Sequence, residues 1–146
     1  MIRTAIAIVV GLSSISAMAQ MSPVGLWKTI DDKDGSVKSE IRVTQTDGVI
    51  TGKIEKILDP KAKPDEKCVE CTDDRKDQST LGLEIIRGVR KAEGKDVWEG
   101  GTIVEPSTGK IYKVKMTPIE GGAKLEMRGF IGFSLLGRTQ TWIRVN

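Results

Sequence analysis

Histidine is absent from the whole 146-residue chain, which removes the commonest general base and the commonest metal ligand together. Triads built on imidazole and His-based zinc sites are therefore excluded within it. Aromatic residues are scarce, with three Trp, one Tyr and two Phe, so each one has to be accounted for. An excess of one charge is lacking as well. The 23 Lys and Arg are interleaved with 20 Asp and Glu, and a net charge of +3 is ordinary surface charge. Nucleic-acid binding calls for a concentrated basic footprint, and none is present. No segment beyond the first twenty residues is apolar for long enough to span a bilayer, which takes about 20 residues, so the chain is not expected to be membrane-spanning.

The N-terminus has its own pattern. MIRTAIAIVVGLSSISAMAQ combines a positive charge at Arg3, an apolar stretch from Ala5 to Leu12 and the small-residue run Ala17-Met18-Ala19. This is the layout of a secretory signal peptide over residues 1–19, cleaved after Ala19. No cysteine follows the cleavage point, so a lipid anchor is not expected there. Residues 20–146 then form one domain, large enough to bury a real core, in the periplasm or outside the cell.

The rest reads as strand after strand. In SVKSEIRVTQT, Val37, Ile41 and Val43 share one face and Lys38, Glu40, Arg42 and Thr44 the other, as a half-buried strand requires. Asp47-Gly48 is a tight hairpin signal, and VITGKIEKIL continues after it. VGLWKTI precedes this pair; LEIIRGVRK, VWEGGTIV, KIYKVKMT, AKLEMRGF and GRTQTWIRV follow, each set off by Gly-rich or Pro-containing turns. The exception is the polar stretch Asp59 to Thr80, a long loop carrying two prolines and both cysteines. About eight short antiparallel strands predict an all-β, up-and-down barrel, although a two-sheet sandwich satisfies the same periodicity. FIGFSLLG, Phe130 to Gly137, fits a strand poorly; it is expected to fold over one barrel end or into the interior as apolar filling.

Gly25-Leu26-Trp27 lies in the first strand and Trp142-Ile143-Arg144 in the last, and these strands are neighbours in a closed meander. A Gly before the Trp permits close backbone approach, and a guanidinium can stack on an indole. The arrangement resembles the lipocalin, more broadly calycin, signature, with Gly25, Trp27, Trp142 and Arg144 in structural roles. The chain is also similar to a family of exported bacterial proteins defined as a domain of unknown function and thought to be lipocalin-like. VGLWKT, the Cys68-x-x-Cys71 loop, VWEGGTIVEPSTGKIYKVKM and RGFIGFSLLGRTQTWIR carry that likeness. The resemblance implies a fold and an envelope location and supplies no catalytic residue.

Few constellations offer chemistry. Cys68-Val69-Glu70-Cys71 has four readings. In an oxidising compartment a structural disulfide comes first. A redox motif, half a metal site or an intermolecular crosslink are the others, and the acidic loop is not the strand-to-helix context of thioredoxin-like pairs. DDKDGS at Asp31 to Ser36 is not a calcium loop, because Ile30 and Ile41 occupy the first and last ligand positions. Gly109-Lys110 is not a phosphate loop, because Val104 stands where the earlier Gly is required. No carboxylate pair shows an acid–base setting, so no enzyme activity, metal or cofactor is expected.

Binding is what remains. Trp98, Tyr112, Met116 and Met127, with Phe130, Phe133 and Trp142, are the large or adaptable groups available to line a cavity. Arg87 and Arg128 are candidates to meet an anionic head group. The reading is a periplasmic, non-catalytic, lipocalin-like barrel for a small, largely apolar or amphipathic molecule. Two alternatives stand beside it. One is an envelope module with a packed core that recognises a protein partner through the Cys68–Cys71 loop; the other is a thiol redox protein.

Overall fold

Alternation of apolar and polar residues turns eight segments of the chain into strands, and their pairing closes one barrel. In the computed structural model, which describes residues 21–146, the strands are β1 (Gly25–Ile30), β2 (Val37–Thr46), β3 (Val49–Ile57), β4 (Glu84–Lys91), β5 (Trp98–Val104), β6 (Ile111–Ile119), β7 (Lys124–Phe130) and β8 (Gly137–Arg144). Each pairs antiparallel with its neighbours in sequence, and β8 returns to β1. The proposed signal peptide lies outside the described residues.

Local chemistry sets the turns. Asp47 and Gly48 both have positive φ, 52° and 77°, which is what a two-residue hairpin between twisted strands demands. In an up-and-down barrel the connections alternate between ends. The loops after β1, β3, β5 and β7 therefore share one end, and the chain termini share the other with the turns after β2, β4 and β6.

The barrel is filled from the terminal end. Trp27, Ile41, Val43, Ile50, Ile86, Val89, Met116 and Leu125 are almost fully buried there, with Trp98 beside them. Burying side chains of this size contributes about 1.5–3 kcal/mol each.

The polar stretch between β3 and β4 is ordered against the barrel. Cys68 and Cys71 form a disulfide, and both are buried. Arg75, only 2% exposed, donates from Nε and Nη2 to the Asp73 carboxylate at 3.0 and 2.6 Å and from Nη1 to the Glu84 carbonyl at 3.0 Å. A buried guanidinium is tolerated when its donors are satisfied in this way.

The segment after β7 overturns one expectation. Phe130 pairs with Gly137, so the β7–β8 hairpin is already closed at its last residue pair. The residues between them stay at the barrel end and do not fill its interior, although Ile131 and Leu136 border the cavity there. Ile131, Phe133, Leu135 and Leu136 are all exposed and project from the end of the barrel.

Candidate functional site

Opposite the filled end, the barrel holds a cavity of about 800 Å³. Its existence follows from residue size at inward positions. Toward the termini these are Trp27, Met116 and Leu125; toward the other end they include Thr29, Val114 and Gly129. Gly129 lies cross-strand from Val114 on β6 and from Arg138 on β8, and leaves the wall without a side chain at that level.

The wall is mainly apolar. Ile85, Ile103, Val114, Met127 and Trp142 line it, with Tyr112 and Gln140 contributing polar groups. Neither the Tyr112 hydroxyl nor the Gln140 amide has a hydrogen-bond partner among the described residues. Trp142 adds a stronger signal. Its indole Nε1 is buried and likewise has no partner among the described residues. Buried indole N–H groups are almost always satisfied, and leaving one unpaired costs about 1–3 kcal/mol.

Charge is confined to the mouth. Asp31, Asp32, Lys33, Lys38, Glu105 and Arg138 ring it. Arg138 spans the opening, with Nε 3.5 Å from Asp32 and Nη2 3.6 Å from Glu105. These are long, solvated pairs, worth about 0–1 kcal/mol, and they bar nothing from entering. Among the described residues no group of three or more carboxylates or thiolates is placed to hold a metal ion.

Of the residues singled out from sequence, Tyr112, Met127 and Trp142 line the cavity. Phe130 borders it at the rim, but its ring lies on the outer side with Arg128, and the Lys115 ammonium is 5.8 Å from the ring centroid. Trp98 and Met116 are packed in the filled half, outside the cavity lining. The structure does not bring the other three to the cavity. Arg87 is held on the outside by Asp74, with Nη1 and Nη2 each donating at 2.8 Å, and by Glu84, to which Nε donates at 2.5 Å. Those bonds draw the Asp74 carboxyl below its ordinary range and push the guanidinium further up. Arg128 donates to the Ser134 carbonyl at 2.7 Å and to Thr139 Oγ1 at 2.8 Å, which pins the β7–β8 loop. Phe133 sits on that loop, in solvent. Sequence reasoning did not single out Gln140, Arg138 or Gly129, although the inward period of β8 selects the first two.

At the filled end the Arg144 guanidinium lies 4.2 Å from the Trp27 ring centroid. Gly25 makes room for it: a Cβ there would stand 2.5 Å from Arg144 Nη1.

Over residues 25–144 the chain matches the family described as "Uncharacterized protein conserved in bacteria (DUF2147)", and it belongs to that family. Its fold is similar to that of protein HP1028 from Helicobacter pylori, described as belonging to the lipocalin family, with a TM-score of 0.71 and 19% sequence identity. The similarity covers 84% of this chain and 82% of that one. No curated protein is significantly similar in sequence. The fold is thus lipocalin-like: a closed, eight-stranded antiparallel barrel.

Proposed function

We propose that this family member is a non-catalytic carrier of the bacterial envelope that takes a small amphipathic molecule into the barrel. The observation that carries the reading is the cavity with an apolar wall and a charged mouth. An acyl or aromatic body would lie against Val114, Met127 and Trp142, and a polar group would reach Tyr112, Gln140 or the rim. The unpaired Trp142 N–H supports the same reading, because an acceptor on the ligand would satisfy it. The N-terminal pattern and the buried disulfide favour export to an oxidising compartment.

Gly129→Leu tests this directly. A Cβ at Gly129 meets only ordinary contacts, the nearest being Tyr112 Cβ at 3.5 Å, so the substitution puts a branched side chain into the cavity wall and narrows it without forcing the backbone. Protein purified from its native envelope is extracted with organic solvent and analysed by mass spectrometry. The expected result is a stoichiometric amphipathic molecule from the unaltered protein and none from a Gly129→Leu variant of unchanged thermal stability. Blank extracts from both, with no uptake of a fluorescent fatty-acid analogue by either, would refute the carrier reading.

A further inference from the structure

At the cavity end, the β7–β8 loop exposes four large apolar side chains: Ile131 by 61%, Phe133 by 78%, Leu135 by 88% and Leu136 by 73%. Scattered exposed apolar residues are ordinary, but four within six positions at the tip of one hairpin form a patch. The loop is not slack. The Leu136 N–H donates to the Phe133 carbonyl at 3.0 Å, and Arg128 Nε holds the Ser134 carbonyl.

Immediately behind the tip the outer surface is basic. Lys113 lies cross-strand from Phe130, Lys115 lies cross-strand from Arg128, and Lys110 closes the adjacent β5–β6 turn. Carboxylates reach part of this belt: Glu99 lies 3.8 Å from Lys115, and Asp32 and Glu105 face Arg138. Among the described residues, Lys110, Lys113 and Arg128 have no carboxylate within ion-pairing distance. Going from the tip inward, the order is apolar side chains and then uncompensated cations. A peripheral protein meets the complementary order in an anionic leaflet, acyl chains and then phosphates.

We propose that residues 131–136 dock the protein on an anionic bilayer surface. The four apolar side chains enter the acyl boundary, and Lys110, Lys113 and Arg128 meet lipid phosphates. Ile131 and Leu136 also line the cavity, so docking turns the mouth toward the lipid. The proposal goes beyond the carrier reading and stands whether or not the cavity takes a ligand.

The test is flotation with vesicles of phosphatidylglycerol and phosphatidylethanolamine in equal parts, against phosphatidylcholine vesicles. The loop is altered by the double substitution Phe133→Asp and Leu135→Asp; neither residue lines the cavity and both are exposed, so the fold is spared. The unaltered protein is expected to float with the anionic vesicles. Binding should fall at least about tenfold for the loop variant, for Lys110→Glu with Lys113→Glu, and on phosphatidylcholine. Any of three results overturns the proposal: no flotation with anionic vesicles, equal flotation of the loop variant, or equal binding to phosphatidylcholine. Uptake of the fluorescent fatty-acid analogue by the loop variant is read in parallel. Retained uptake with lost flotation assigns the loss to docking, independently of the carrier reading.

Discussion

Arg144 donates from Nε to the Gly122 carbonyl at 2.6 Å, from Nη1 to the Val24 carbonyl at 2.8 Å and from Nη2 to the Ser22 carbonyl at 2.7 Å. Its plane covers Trp27, whose own N–H donates to the Pro23 carbonyl at 2.8 Å. One side chain therefore ties the start of the chain, the β6–β7 turn and the last strand together. An ammonium in its place keeps the charge but not the planar fork that bonds three carbonyls while stacking on an indole. Arg144→Lys is expected to cost about 2–5 kcal/mol, the worth of one charge-assisted hydrogen bond plus the stack. Urea unfolding would show it as a lower midpoint at unchanged slope; an unchanged midpoint would mean the clamp adds nothing to stability. The side-chain half of this arrangement is legible in sequence, since Gly25, Trp27 and Arg144 form a spaced pattern. The carbonyls are not, because a backbone acceptor leaves no mark on residue identity.

Among the elements, the β3–β4 segment carries a pH dependence. Asp73 is held down to about 2, first by the side-chain bonds from Arg75 and then by the Arg75 backbone N–H, against an ordinary value of 3.8. A carboxyl whose folded pKa lies below its unfolded value adds stability that is complete above the unfolded pKa and lost as pH falls through the folded one. The loop is therefore expected to loosen between about pH 4 and pH 2, read as faster amide exchange over residues 67–79, and Asp73→Asn should flatten that slope. A slope unchanged in the variant would assign the effect to other carboxylates. The strands themselves were legible to within about a residue at most ends, because Asp-Gly, Glu-Gly-Lys and Pro-Ser-Thr-Gly signals punctuate them. Two things were not. The docking of Arg75 on Glu84 is a tertiary contact with no local period. FIGFSLLG has the composition of a core segment, and hydropathy carries no information that the Phe130–Gly137 pairing already closes the hairpin and forces the remaining residues outward.

For the molecule as a whole, closure of the barrel is uneven. The β7–β8 ladder runs from Lys124 opposite Ile143 to Phe130 opposite Gly137. The β1–β8 ladder has only Trp27 opposite Arg144 and Lys28 opposite Ile143, extended at its base by backbone bonds between Leu26 and the last two residues. Above that, Thr29 and Ile30 on one side and Arg138 and Gln140 on the other border the cavity without pairing across the seam. The wall is thus parted beside the cavity and sealed beside the filled core, where Arg144 sits. Backbone groups that face a parted seam are protected only by local closure, whereas those inside β6 and β7 open with the global fold. Amides of residues 137–141 that point toward β1 are expected to exchange at least about a hundredfold faster than those of Val114 and Met127 in native-state hydrogen exchange. A molecule lodged between Gln140 and Thr29 would slow them, so loading with the fatty-acid analogue should narrow that gap. Equal protection in the unloaded protein would mean the seam closes in solution, and the cavity would then exchange its contents through the mouth alone.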